Sequence, residues 1–287
     1  MSIHYQTLIS VEQLQALLNE QAPLLLLDIG FDLADTGAGE RAYAQAHLPG
    51  AHYLHLDRDL CGAKTGADGV FRGRHPLPVR GAFAERMAAL GLTPQTQVVC
   101  YDAQGGMFAA RAWWMLRWLG HAHVAVLDGG LPTWHAAGGA LTAELPPAPV
   151  ASGFQAGEAL VRTIEADELL AALGRVRLID ARAEERFRGE VEPLDAQAGH
   201  IPGASNRNFK RNLDADGRFK PLELLHAEFS SLLAPYGADK VVHQCGSGVT
   251  ACHNLLAMAH AGLGFGTLYP GSWSEWSGDP RRPLAKA

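Results

Sequence analysis

The sequence is poor in cysteine, and it carries neither a strong excess of charge nor a long apolar run. Four cysteines in 287 residues are too few for a disulfide framework, and no CxxC or Cys/His cluster suggests zinc. A net charge of −6 gives no sign of a nucleic-acid-binding surface. No uncharged apolar run approaches the roughly 20 residues that a membrane helix needs. We therefore expect a soluble globular protein with no metal or other cofactor and with no nucleic-acid or membrane partner.

The N-terminus also lacks the features of a signal peptide. Residues 1–6 have neither a basic start nor an apolar core. We therefore expect a cytoplasmic protein, since a reducing compartment keeps cysteine thiols free.

The most informative stretch is residues 241–251. An apolar run ends at Cys245, Gly246 and Gly248 follow it, and apolar residues then recur at helical spacing. This pattern predicts a strand, a tight loop and a helix. Glycines let the loop curl so that its N–H groups point inward, and the helix dipole favours an anion there. Such a loop favours the thiolate, the nucleophilic form of cysteine. The alternative is that Cys245 is only a small buried apolar residue.

The two halves of the chain repeat one pattern in the same order. In each half a buried strand ends on a carboxylate, Asp28 in the first and Asp180 in the second. A later strand ends at Asp102 in the first half and at Cys245 in the second, and a glycine-bearing loop and an apolar helix follow each. The repeat predicts two domains of one fold, of which only the second carries a nucleophile.

Strands that alternate with helices predict an α/β fold in which each domain is a parallel sheet flanked by helices. The stretch 146–157 is rich in proline and suits a linker. We therefore predict a first domain over 1–145 and a second over 158–287. Ligands of such sheets bind beyond the carboxyl ends of the strands.

Several short motifs occur once in each half. Residues 47–51 are His-Leu-Pro-Gly-Ala, and residues 200–204 are His-Ile-Pro-Gly-Ala. An Asp-Gly-Gly run at 128–130 corresponds to Pro-Gly-Ser at 270–272, and a tryptophan follows each run. Together with the cysteine loop at 245–250, these motifs resemble the two-domain sulfurtransferases of the rhodanese family over nearly the whole chain.

The resemblance implies two tandem rhodanese-like domains and an inactive first one, because Asp102 stands where the family has its cysteine. It implies that Cys245 takes a sulfane sulfur from a small-molecule donor and carries it as a persulfide. The acceptor would be cyanide or a thiol, such as that of a thioredoxin-like protein. Backbone N–H groups of the loop would hold the substrate and the sulfur, and those loop residues are Gly246, Gly248, Val249 and Thr250.

The loop sequence bears on the donor. Cys-Gly-Ser-Gly-Val-Thr is similar to the loop of the family's 3-mercaptopyruvate sulfurtransferases, whereas thiosulfate-preferring members have basic residues after the cysteine. Gly246 and Ser247 are neutral, which offers less Coulomb attraction to a doubly charged donor. The resemblance therefore favours 3-mercaptopyruvate, with thiosulfate as the alternative.

For the proton transfers, mercaptopyruvate-using members imply a Ser-His-Asp relay. Ser247 fills the serine place, His75 suits the histidine and Asp59 suits the aspartate. The alternative for His75 is a loop histidine with one backbone hydrogen bond. Asp57 is equally available for the third place.

Arg186 is the candidate to bind the donor's carboxylate, because a planar guanidinium matches a carboxylate with two parallel hydrogen bonds. Its alternative is an ion pair with Glu184 or Glu190. The chain departs from the family at Leu194, where mercaptopyruvate-using members usually carry a second arginine. Arg188 is the predicted substitute.

Two rival functions use a similar motif. Cysteine phosphatases need a loop one residue longer and an arginine that closes it, whereas this chain has Thr250 and Ala251 there. A non-catalytic binding module is the second rival, and the intact Cys245 loop argues against it.

Overall fold

The computed structural model describes residues 4–286. Residues 1–3, which begin the N-terminal stretch and the predicted first domain, lie outside that range. So does residue 287, the last of the predicted second domain. The strands are β1 (Leu8–Ile9), β2 (Leu24–Asp28), β3 (His52–Tyr53), β4 (Gln97–Tyr101), β5 (Val124–Leu127), β6 (Arg162–Thr163), β7 (Arg177–Asp180), β8 (Ser205–Asn206), β9 (Val241–Gln244) and β10 (Thr267–Leu268).

Helices cover the stretches between most strands. They are α1 (Val11–Asn19), α2 (Ala38–Gln45), α3 (Leu56–Asp59), α4 (Arg80–Ala89), α5 (Ala109–Trp118), α6 (Gly130–Ala136), α7 (Ala166–Ala172), α8 (Glu184–Arg188), α9 (Leu222–Leu233), α10 (Thr250–His260) and α11 (Ser272–Trp276), with short 3₁₀ turns at Phe209–Asn212 and Ala238–Lys240. No helix within residues 4–286 is both long and apolar enough to cross a membrane.

The strands form two five-stranded sheets with the same topology. The first has the order β1-β5-β4-β2-β3 and the second β6-β10-β9-β7-β8. Every pairing in both sheets is parallel. The predicted fold class, two tandem parallel sheets flanked by helices, is confirmed.

Local sequence explains where the first elements begin and end. Ser10 caps α1 in a capping box: its side chain accepts from the Gln13 N–H, and the Gln13 side chain accepts from the Ser10 N–H. Strand β2 ends at Asp28, as predicted, and is buried at four of its five positions. Such continuous burial is typical of a parallel strand with helices on both faces.

Grouped by contacts, the described residues form two compact units that are not contiguous in sequence. The first unit contains the chain up to Cys61, Pro78–Leu160 and Ala215–Phe219, and the second contains Gly62–Leu77, Val161–Asp214 and the chain from Lys220 onward. The stretch 62–77, which the sequence-based boundary assigns to the first domain, thus belongs to the second unit. The boundaries near 145 and 158 stay a prediction.

Each unit has its own apolar core. In the first unit Trp134 belongs to a cluster with Leu26 and Val99. In the second unit Trp273 belongs to a cluster with Val242. The predicted linker packs on the first unit, where the N–H of Gly157 donates to the carbonyl of Leu119 at 2.9 Å.

Candidate active site

Cys245 follows β9 directly, at the carboxyl end of a strand in the middle of its sheet. Gln244 is paired in register with Asp180, so the cysteine emerges beside the end of β7. The Cys245 N–H donates to Ser272 Oγ at 3.1 Å, and its carbonyl accepts from the Trp273 N–H at 2.9 Å. The residue is only 2% exposed. The first residues of α11 therefore hold the cysteine at the carboxyl ends of the strands, where α/β proteins bind ligands.

The loop after Cys245 requires glycine at Gly248. This residue has φ +76°, and a methyl group in place of its α-hydrogen would lie 2.4 Å from the carbonyl oxygen of Pro270. The first unit has a matching close approach, because a methyl group at Gly130 would lie 2.1 Å from the carbonyl oxygen of Asp102. In both units a glycine allows the turn near the last helix to contact the loop after the central strand.

His75 and Ser247 form a buried polar pair in the second unit. His75 Nδ1 and Ser247 Oγ are hydrogen-bonded at 2.7 Å, and the two residues are 5% and 6% exposed. Gly73 brings the histidine's segment close to the turn before α11, since a methyl group on Gly73 would lie 2.8 Å from the carbonyl oxygen of Gly271. The two residues predicted as histidine and serine of a relay are therefore in contact, and their catalytic roles stay a prediction.

Asp59 lies at the end of α3 in the first unit. Its Oδ2 accepts from the His55 N–H at 2.7 Å, and its Oδ1 forms an ion pair with Arg86 Nη2 at 3.0 Å. Its neighbour Asp57 donates its N–H to His55 Nδ1 at 3.1 Å. These bonds stabilise the short helix, and the predicted role of Asp59 in a relay stays a prediction.

Arg186 points its guanidinium at two buried carboxylates. Its Nη2 bonds Glu192 Oε1 at 2.6 Å and Asp195 Oδ2 at 3.2 Å, while its Nε bonds Glu192 Oε2 at 3.3 Å. The side chains of Glu192 and Asp195 are 3% and 4% exposed, whereas that of Arg186 is 18% exposed. The carboxylates therefore hold the arginine from the protein interior.

Arg188, the predicted substitute for a second arginine, has a different setting. Its Nε and Nη2 bond the two carboxylate oxygens of Glu190 at 2.7 and 2.9 Å, and its side chain is 44% exposed. Leu194, at the position of the departure from the family, donates its N–H to Glu192 Oε1 at 3.1 Å. Leu194 thus contributes a backbone hydrogen bond to the cluster formed by Arg186, Glu192 and Asp195.

Sequence reasoning missed Arg74. Its guanidinium forms a salt bridge with Asp195, and its N–H donates to Ser274 Oγ at 3.1 Å. A methyl group at Gly246 would lie 2.8 Å from Arg74 Nη2 and 3.5 Å from Arg186 Nη1. The position of Arg74 directly before His75 is the one sequence signal that could have drawn attention to it.

The corresponding loop of the first unit holds a carboxylate. Asp102 Oδ1 accepts from the N–H groups of Gln104 and Gly106 at 2.8 and 2.9 Å. Its Oδ2 accepts from those of Phe108 and Ala109 at 2.8 and 2.9 Å. A loop of this design therefore provides a ring of amides that binds an anion.

The first unit places a second acid close to that ring. Burial raises the pKa of Asp28 from 3.8 to about 6, although a hydrogen bond from the Gly30 N–H opposes the shift, and the charge of Asp102 adds to it. Both aspartates line a cavity of about 160 Å³. The lining of this cavity is acidic and contains no thiol. Within residues 4–286 no group of three or more His, Cys, Asp or Glu side chains is arranged to hold a metal ion.

Comparison with known proteins identifies the family. A model of the rhodanese-like domain matches residues 10–137 and 165–279. The "Probable 3-mercaptopyruvate sulfurtransferase" of Pseudomonas aeruginosa is 50% identical over 284 residues, 97% of each chain. The thiosulfate sulfurtransferase of Gallus gallus is 32% identical over 259 residues, 89% of this chain and 86% of the other.

The solved structures agree with the sequence relatives. The 3-mercaptopyruvate sulfurtransferase from Leishmania major matches with a TM-score of 0.81 and 29% identity, over 97% of this chain and 76% of that one. The predicted family and enzyme class are confirmed. The chain belongs to the rhodanese family and is a sulfurtransferase with two rhodanese-like domains.

Proposed function

We propose that this enzyme takes a sulfur atom from 3-mercaptopyruvate, carries it as a persulfide on Cys245, and passes it to a thiol or to cyanide. The observation that carries the proposal is the 2.7 Å hydrogen bond between His75 and Ser247, two residues after the cysteine. A thiosulfate donor leaves as sulfite and needs no proton, whereas pyruvate leaves as an enolate that must gain one. A buried Ser–His pair suits the second reaction.

In the first half-reaction the Cys245 thiolate attacks the sulfur of the donor. An S–S bond forms, and the bond between that sulfur and the methylene carbon breaks, leaving its electron pair on pyruvate as an enolate. The donor's thiol loses one proton and the methylene carbon gains one. Pyruvate and an enzyme persulfide therefore result without any external oxidant or reductant. Ser247 would donate to the enolate, and His75 would supply and recover that proton.

The N–H groups of residues 246–250 would stabilise the thiolate and then the persulfide. The Asp102 carboxylate supports this role, because four amides bind it in the first unit's version of the loop. In the second half-reaction an acceptor thiolate attacks the outer sulfur and the Cys245 thiolate leaves. Cyanide would react in the same way to give thiocyanate.

Asp59 is the proposed third member of the relay, as the family resemblance implies. Asp59→Asn and Asp57→Asn distinguish the two available aspartates, because only the relay member should change the dependence of kcat on pH. We also propose a cytoplasmic location, since a reducing compartment keeps Cys245 ready to react.

Mass spectrometry of the intact protein tests the persulfide directly. Addition of 3-mercaptopyruvate without an acceptor should add one sulfur atom to the wild type and none to Cys245→Ser. A thiol added afterwards should remove it. A wild-type protein that gains no sulfur from either 3-mercaptopyruvate or thiosulfate would contradict the proposal.

Thiosulfate is the second candidate donor, because two guanidiniums beside Gly246 also suit a dianion. Steady-state kinetics with both donors decide between them. We expect kcat/KM to be higher for 3-mercaptopyruvate, and the opposite order would make the enzyme a thiosulfate sulfurtransferase. Ser247→Ala should reduce turnover with 3-mercaptopyruvate more than with thiosulfate, since only the former needs a proton.

A further inference from the structure

Two arginines from distant parts of the sequence converge on the second residue of the cysteine loop. If Gly246 carried a methyl group, Arg74 Nη2 would lie 2.8 Å from it, and Arg186 Nη1 and Nη2 would lie 3.5 and 3.7 Å from it. Glycine leaves this space open. Both guanidiniums therefore lie within reach of a small anion bound over Gly246, one residue from the reactive sulfur.

The two guanidiniums are held from behind by one carboxylate. Asp195 forms salt bridges with both Arg74 and Arg186, and its side chain is only 4% exposed. The arginine side chains are 22% and 18% exposed, so the solvent side of the cluster is the guanidinium side. An arginine has five N–H donors, and the bonds to Asp195 and Glu192 leave Arg186 Nη1 on the side of Gly246.

Arg74 is also fixed through its backbone. Its N–H donates to Ser274 Oγ at 3.1 Å, and the next residue, His75, bonds Ser247. The segment that brings the histidine to the loop therefore also sets the position of this arginine.

We propose that Arg74 is the second donor-binding arginine of this enzyme, and that it binds the donor's carboxylate together with Arg186. The inference rests on the proposed function, because 3-mercaptopyruvate carries its sulfur and its carboxylate at opposite ends of a short chain. With the sulfur at Cys245, the carboxylate must lie a few ångströms away, where Gly246 leaves room and two guanidiniums converge. Arg74 thereby supplies from the stretch 62–77 the positive charge that Leu194 does not.

Kinetics with 3-mercaptopyruvate provide the first test. We expect Arg74→Ala to raise KM about tenfold or more and to change kcat by less than about threefold, since a charge-assisted hydrogen bond is lost in both the bound substrate and the transition state. The inhibition constant of pyruvate should rise in parallel. Arg74→Lys should recover only part of the affinity, because lysine lacks the planar fork.

Alkylation of Cys245 provides a test that does not depend on sulfur transfer. Iodoacetate and iodoacetamide differ mainly in the carboxylate, so the ratio of their rates at Cys245, measured by peptide mass mapping, reports carboxylate binding beside the thiol. We expect Arg74→Ala to lower this ratio about tenfold relative to the wild type. Arg281→Ala, which removes an exposed arginine paired with Asp279, should leave KM and the ratio unchanged.

The outcomes separate this inference from the proposed function. If Arg74→Ala and Arg74→Lys leave both KM and the alkylation ratio unchanged, Arg74 does not bind the donor. If Arg188→Ala produces the effects expected of Arg74→Ala, Arg188 is the second arginine. If the wild type fails to use 3-mercaptopyruvate but the alkylation ratio falls in Arg74→Ala, the carboxylate site stands and the proposed donor is wrong.

Discussion

The guanidinium of Arg186 has different surroundings on its two sides. Its Nε and Nη2 bond Glu192 and Asp195, while its Nη1 lies on the side of Gly246. If Arg186 binds the donor as proposed, anchoring by buried carboxylates would orient the guanidinium before the donor arrives, so little side-chain entropy would be lost on binding. The cost is that Asp195 needs its arginine partners, because burial raises the pKa of Asp195 while the neighbouring Arg74 and Arg186 oppose that shift.

We expect Arg186→Ala to raise KM for 3-mercaptopyruvate about tenfold or more and to lower kcat by less than about threefold. The reason is that the bond to a carboxylate remote from the reacting sulfur is equally present in the bound substrate and the transition state. Steady-state kinetics measure both constants, with Arg281→Ala as the exposed control. An unchanged KM would remove Arg186 from the donor site.

The site residues differ in how well the sequence identifies them. Cys245 and Ser247 lie two residues apart in a recognisable loop, and His75 follows from the family pattern. Arg74 and Asp195 carry no such pattern, because their importance comes from meeting each other across a separation of 121 residues. A single sequence does not show which distant charges meet, so the predicted second arginine is Arg188, which lies close to Arg186 on α8.

The loop between β9 and α10 depends on one glycine for its shape. Gly248 has φ +76°, and a methyl group added to it would lie 2.4 Å from the carbonyl oxygen of Pro270. Gly262 has φ +75° and nothing within 4 Å of such a methyl group. The two glycines thus separate the cost of the backbone conformation from the cost of the collision.

We expect Gly262→Ala to lower the free energy of unfolding by about 1–2 kcal/mol, the cost of a left-handed conformation for a residue with a side chain. Gly248→Ala should cost more, about 3 kcal/mol or above, and should also abolish sulfur transfer because the turn at Pro270 must move away from the loop. Urea unfolding and activity assays measure the two effects. Equal stability losses in the two variants would show that the collision is relieved without cost.

Strand β9 contains a titratable group in an apolar setting. His243 is fully buried, and neither of its ring nitrogens has a hydrogen-bond partner among residues 4–286. Burial, followed by the nearby charge of Arg207, lowers the pKa of His243 from 6.5 to about 3. The unfolded chain therefore binds a proton at a higher pH than the folded chain does.

It follows that the stability contributed by neutral His243 is present above pH 6.5 and is lost as the pH falls from 6.5 towards 3. At pH 4.5, two units below 6.5, the loss is about 3 kcal/mol at about 1.4 kcal/mol for each unit. We expect His243→Leu to be less sensitive by about that amount when urea unfolding is compared at pH 7 and 4.5. An identical loss in both proteins would mean that His243 is protonated without cost.

Central and edge strands were not equally predictable. Strands β2 and β7 end at the predicted Asp28 and Asp180, since apolar runs bounded by polar residues identify buried strands. The edge strands β3 and β8 have only two residues each. Two residues cannot show an alternating pattern, so only the repeat itself could indicate them.

The two units have corresponding loops after their central strands, with a different residue at the start of each loop. The first unit keeps the ring of amides but fills it with the Asp102 carboxylate, whereas the second has Cys245 at that place. A carboxylate bound by four N–H groups satisfies donors that would otherwise be buried without partners. The first unit's loop is thus stable without a substrate.

We expect Asp102→Asn to lower the free energy of unfolding by about 1–3 kcal/mol, because an amide nitrogen would replace one of the two accepting oxygens. Asp35→Asn, at an exposed aspartate of the same unit, should change it by no more than about 0.5 kcal/mol. Thermal or urea unfolding measures both. Sulfur transfer per molecule should be unchanged in Asp102→Asn, and a large fall would argue that the first unit's loop takes part in the reaction.

The stretch 62–77, which belongs to the second unit although it precedes the linker, bears on how the gene could evolve. A shortened gene that kept only the second half of the coding sequence would encode the thiol and its loop but neither His75 nor Arg74. On the proposed mechanism, such a fragment would lack the residue that moves the proton and one that binds the donor. If those two residues act as proposed, deletion of the first half would not yield a minimal enzyme, even though the first half has no nucleophile at the place of Cys245.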